Sequence, residues 1–152
     1  MIRMVRLTVV ASLVLLLNIT PSWAQTYNPT LSNATTHNTA GGTGAVGAMS
    51  GNSNTAFGYL ALTSNSGDSN SAFGNATLDN NTTGFRNTAC GYRGLISNTV
   101  GVQNTATGAE ALEANTIGSN NTAVGDSSLF NNIDGIWNTA PGRVRALAKY
   151  RR

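Results

Sequence analysis

The chain has 152 residues, only 10% of them charged, with a formal net charge of +3. At about 100–200 residues per domain this length bounds it at one domain, and the single cysteine, Cys90, excludes an intrachain disulfide framework. The positive charge lies at the two ends, on Arg3 and Arg6 and then from Arg143 to Arg152, with only Arg86 and Arg93 between them, so there is no basic stripe for nucleic acid.

Residues 1–24 read as a secretory signal peptide. Arg3 and Arg6 precede the apolar run LTVVASLVLLL, and Ser22 and Ala24 are the small residues expected before a cleavage site, which places the new N-terminus at Gln25. The apolar run is shorter than the roughly 20 residues that span a bilayer as a helix, and nothing after it has spanning length, so a secreted or cell-surface protein is expected. Residues 25–37 form a Gln/Thr/Asn linker ending at His37. This lone histidine has no Cys, Asp or Glu at ligand spacing, and no metal or catalytic role is assigned to it.

From residue 38 to 142 the chain repeats. The motif Asn-Thr/Ser-Ala-x-Gly starts at Asn38, Asn54, Asn70, Asn87, Asn104, Asn121 and Asn138, at intervals of 16, 16, 17, 17, 17 and 17. Leu62, Leu78, Leu95, Leu112 and Leu129 follow in register, then Asn65, Asn81, Asn98, Asn115 and Asn132, then Gly67, Gly84, Gly101, Gly118 and Gly135. The consensus is NTAxGxxALxxNxxGxx. The residue missing from the unit at 54 falls between Leu62 and Gly67, in a turn.

Such a unit cannot bury a face alone but can do so when stacked, so the pattern predicts an all-β parallel solenoid, or β-roll, of about seven coils. Glycines supply the corners and the asparagines are placed to form side-chain ladders from coil to coil. At about 4.8 Å per coil the rod is only about 33 Å long. The density of Asn, Gly and Thr argues against helix, even in ATGAEALEA at 106–114.

Alternate residues of a strand face opposite ways. The x column holds Phe57, Phe73, Cys90 and Val124, and its apolar character places it inside with the leucines, leaving Asn, Ala and Gly outward. On that parity the column Ala40, Ala56, Ala72, Ala89, Ala106, Ala123 and Ala140 offers an outward strip of small residues against which another chain packs, and a homotrimer is expected.

The segments NTAFGYLAL at 54–62, NTACGYRGL at 87–95, NTATGAEAL at 104–112 and NTAVGDSSL at 121–129 resemble the head repeats of trimeric autotransporter adhesins and the repeats of bacterial and phage tail-fibre-like proteins. The resemblance covers residues 38–142. It implies a left-handed β-roll, three chains side by side, and an adhesive or structural surface fibre with an extracellular-matrix, glycan or cell-surface ligand.

No enzyme is read from the sequence: no catalytic, cofactor-binding or metal residue is assigned, and no cofactor is expected. Cys90 has no base partner, and Asp68, Asp79, Glu110, Glu113, Asp126 and Asp134 fall in different columns, so stacking pairs no carboxylates. The glycines at 41–44 lack both the aspartate of a calcium-binding repeat and the Lys-Ser/Thr of a phosphate loop. Sequons at Asn33, Asn75, Asn80, Asn81 and Asn120 follow from composition. Residues 143–152 form a basic C-terminal tail. Beside the adhesin-like reading stand a truncated structural repeat protein without a ligand and an ice- or carbohydrate-binding solenoid, the latter prompted by the Thr/Ser column at 39, 55, 71, 88, 105, 122 and 139.

Overall fold

A computed structural model describes residues 36–45 and 51–143; the signal peptide, most of the linker and the end of the tail lie outside these residues. Every Asn-Thr/Ser-Ala-x-Gly motif contributes one three-residue strand: β1 (Thr39–Gly41), β2 (Thr55–Phe57), β3 (Ser71–Phe73), β4 (Thr88–Cys90), β5 (Thr105–Thr107), β6 (Thr122–Val124) and β7 (Thr139–Pro141). They form one parallel sheet in sequence order. Register follows the repeat: Thr faces Ser or Thr, Ala faces Ala, and x faces x in all six pairings. The molecule is therefore a β-solenoid, as the spacing predicts.

The ladder continues beyond the strands. Leu78 N–H donates to the Gly94 carbonyl at 3.0 Å, Leu95 to Ala111 at 3.0 Å and Leu112 to Ser128 at 2.9 Å, so one coil hydrogen-bonds to the next on the side opposite the sheet as well. This distributes the cost of ordering a chain so poor in large apolar residues over many short backbone bonds.

The observed parity is the reverse of the sequence expectation. Ala56, Ala72, Ala89, Ala106 and Ala123 are fully buried, while Phe57, Phe73 and Val124 are 41–46% exposed and Cys90 is exposed. The reason is the width of the coil. An ideal Cβ on Gly94 would lie 3.6 Å from the Cβ of Ala89, so the column that precedes leucine (Ala61, Thr77, Gly94, Ala111, Ser128) meets the strand alanines face to face across the interior. Only small side chains fit in both, and a phenylalanine there would overfill the coil. The strip of alanines is thus core and is closed to a neighbouring chain.

The asparagines turn inward with the alanines. Asn70, Asn87, Asn104 and Asn121 are fully buried, and each Oδ1 accepts the backbone N–H of the asparagine one coil on, at 2.9–3.0 Å. Their Nδ2 groups donate across the same coil to Gly84, Gly101, Gly118 and Gly135 carbonyls at 2.7–2.9 Å. A second ladder links Asn98 Nδ2 to Asn81 Oδ1 at 2.6 Å, and Asn115 to Asn98 and Asn132 to Asn115 at 2.9 Å each. Burying an amide without partners costs several kcal/mol, and here no buried side-chain polar atom among the described residues lacks one.

Backbone conformation explains the choice of leucine. Leu62, Leu78, Leu95, Leu112 and Leu129 all have φ of 52–53°, the left-handed region. Two further columns share it: Leu60, Ala76, Arg93, Glu110 and Ser127, and the residues just before each motif asparagine, including Ser69, Arg86, Gln103 and Trp137. None of these residues is β-branched, because a second heavy atom on Cβ is the hardest group to place at positive φ. Isoleucine and valine are present in the chain, but in these three columns of the described residues leucine, tryptophan, polar or small side chains stand instead. At the sheet corner even leucine would fail: Gly108 has φ of 133° and a Cβ there would run into the Gly125 carbonyl.

Candidate binding surfaces

With Asn and Ala inside, each strand turns its Thr and its x residue outward, and exact register stacks them into two columns. The x column runs Phe57, Phe73, Cys90, Thr107, Val124 and Pro141. Phe57 and Phe73 stack nearly parallel, with ring centroids 5.9 Å apart and planes 10° apart, a direct product of the x-on-x pairing. Tyr59 and Tyr92, both about half exposed, stand two residues further along their coils. Apolar side chains are thus exposed along the sheet, and others, among them Val100, Ile117, Ile133 and Trp137, are exposed on the turns. The Thr column lies beside it, half-buried to exposed, and Thr105 with Thr107 is the one strand that puts two hydroxyls outward together.

The acidic residues do not converge. Glu113 pairs with Arg93 of the preceding coil at 2.8 Å, Asp126 faces Arg143 at 3.8 Å, and Asp68 accepts the Asn52 backbone N–H at 2.7 Å. Among the described residues no three His, Cys, Asp or Glu side chains are placed to hold a metal ion. His37 is exposed at the start of the first coil, with φ of 52°. Cys90 sits on the outward face between Phe73 and Thr107. No described helix is long and apolar enough to cross a membrane.

A concave site lies on the turns of the second and third coils. Its lower wall is Ser66, Gly67, Asp68 and Ser69 and its upper wall is Thr83, Phe85 and Arg86, around a volume of about 450 Å³. It lies where a 16-residue coil meets a 17-residue one. In the short coil Asn65 Nδ2 reaches the Gly67 carbonyl two residues on, at 2.8 Å; in the next, Asn81 Nδ2 reaches Gly84 three residues on, at 2.8 Å. The missing residue is absorbed between asparagine and glycine, and the longer turn overhangs the shorter one. The change in motif spacing from 16 to 17 marks this place in the sequence, though not the side chains that line it.

No protein-family model, no curated protein and no solved structure matches this chain.

Proposed function

We propose that this chain is a non-catalytic, secreted or cell-surface attachment or structural fibre module, of the kind that the adhesin-head and tail-fibre repeats represent, and that it assembles as a homotrimer through its outward sheet face. The observation that supports this reading is the set of apolar side chains exposed along the sheet face, Phe57, Phe73 and Val124 with Tyr59 and Tyr92. An exposed apolar strip on a small polar protein marks an interaction surface. It replaces the buried alanines as the strip available to a second and third copy, and closed symmetry of like chains is the common way such a strip is covered. The short backbone period supplies a rod on which the outward columns vary without disturbing the core, which suits presentation of a surface.

Light scattering on the chain from Gln25 at micromolar concentration is expected to give three times the monomer mass. Val124→Asp, on an exposed position, is expected to return a monomer with an unchanged β-type circular dichroism spectrum. A monomeric parent protein of full β content would overturn the trimer and leave a single-chain structural rod.

A further inference from the structure

The cleft at the coil-length step has the chemistry of a saccharide site, and we infer that it binds a hexuronic-acid unit of an acidic polysaccharide. A solenoid of uniform coils stacks turn on turn and leaves no room between them. Here Thr83 has no counterpart in the shorter coil below, and its N–H, with those of Thr82 and Gly84, is turned toward the Thr99 carbonyl of the coil above at 3.0–3.1 Å. The two turns stay joined at Ser66, whose backbone N–H donates to the Thr82 carbonyl at 2.7 Å, and the opening is bounded by Asp68 and Ser69 on one side and by Thr83, Phe85 and Arg86 on the other. The opening of about 450 Å³ falls within the roughly 300–1,000 Å³ of small-ligand sites.

Three groups on its walls fit such a ligand. Phe85, 42% exposed, gives a flat apolar surface for the C–H face of a pyranose ring. The Arg86 guanidinium lies over that ring, 5.8 Å from its centroid, and among the described residues it forms no ion pair. Its planar fork matches a carboxylate two bonds at a time. Arg86 is fixed from below, where its backbone N–H donates to the Asp68 carbonyl at 3.0 Å and its φ of 56° is set by the repeat. The Asp68 carboxylate is in turn held by the Asn52 backbone, which leaves it an acceptor for sugar hydroxyls. Ser69 and Thr83 add hydroxyls.

A bare anion such as phosphate would meet Asp68, and an apolar ligand would strand the polar walls unpaired. A ring that carries several hydroxyls and one carboxylate satisfies both charges and the phenyl face. The site lies on the turns that precede the strands, so it does not depend on the oligomeric state.

The test is titration of the ¹⁵N-labelled chain from Gln25 with tetragalacturonate and with a glucuronate tetrasaccharide, cellotetraose serving as the neutral control, while light scattering records the mass. At least one acid is expected to move the amide signals of Ser69, Thr83, Phe85 and Arg86, about tenfold more tightly than cellotetraose, the worth of one charge-assisted bond. Arg86→Gln should remove the preference for acid, and Phe85→Ala should weaken both acid and neutral sugar; both positions are exposed, and circular dichroism checks the fold. No response to either acid, equal binding of cellotetraose, or an Arg86→Gln protein that still prefers acid would each overturn the assignment. A monomeric mass with binding intact would reject the trimer alone.

Discussion

Within one strand, adjacent residues live in opposite surroundings, and the distribution is the reverse of the usual one. The inward face carries Asn, Ala and the small column opposite it; the outward face carries Phe57, Phe73 and Val124. The inward Asn and Ala columns do not vary from coil to coil and the column opposite them varies only among small residues, whereas outward ones hold aromatic, thiol, hydroxyl and aliphatic side chains in turn. Position inside this fold is decided by size and hydrogen bonding more than by hydropathy. A coil one methyl group wide selects alanine, and turn backbone that faces inward selects an amide able both to donate and to accept.

The largest break in that contrast is expected from the ladder. Asn104 Nδ2 donates to the Gly118 carbonyl at 2.8 Å and to Asn87 Oδ1 at 3.2 Å, and its Oδ1 accepts the backbone and side-chain N–H of Asn121 at 3.0 Å each. Asn104→Ala removes all four; Asn87 Oδ1, the Gly118 carbonyl and Asn121 Nδ2 each keep another partner, but the buried Asn121 N–H loses the one it has. At about 1–3 kcal/mol for the stranded N–H and about 0.5–1.5 kcal/mol for each of the other bonds, a loss of at least about 2.5 kcal/mol is expected in a urea titration. A loss under about 1 kcal/mol would mean that water enters the coil and the ladder is dispensable.

Next comes the leucine column, where shape and conformation separate. Leu112 is fully buried with φ of 53°. Leu112→Met keeps an unbranched Cβ and is expected to cost under about 1.5 kcal/mol, as volume-conserving swaps do. Leu112→Ile conserves volume equally but must place a branched Cβ in the left-handed region, and should lose a further 1–2 kcal/mol or so. Equal midpoints for the two variants would show that packing alone chose leucine.

These contrasts also say what was readable in advance. Strand positions, parallel order, register and a turn deletion between Leu62 and Gly67 all follow from motif spacing, because a stacked solenoid converts sequence period directly into neighbours. Parity did not follow. Phe57, Phe73 and Val124 weighed more on a hydropathy reading than two asparagines in every coil, although an amide kept in every coil is the stronger sign of a buried polar ladder. The outward alanine strip fell with it, since Ala106 and its equivalents are core. A second signal lay in the same rows: the leucine column has no isoleucine or valine, which points to positive φ. Val46, which stands at the leucine position of the first coil, lies outside the described residues. The cleft was half visible, as a change of spacing, but Phe85 and Arg86 acquire a role only once they are seen across from Asp68 and Ser69.

The smallest expected effect has the opposite sign and probes the interior from its other wall. Gly94 stands in the column occupied by Ala61 and Ala111 in other coils, and it is one of the glycines whose φ is not in the left-handed region. A Cβ at Gly94 would meet Ala89 Cβ at 3.6 Å, Thr77 Cγ2 at 3.8 Å and Cys90 N at 4.0 Å, all ordinary van der Waals contacts. Gly94→Ala therefore adds a methyl to a space that accepts it and removes freedom from the unfolded chain, and a gain of about 0.4–1 kcal/mol is expected. Gly108→Ala makes the same chemical change at φ of 133° against a carbonyl and should destabilise instead. If thermal denaturation moved both midpoints in one direction, the coil would be responding to glycine content in general, and the close meeting of the two small columns across the interior would not be what sets alanine on the strand.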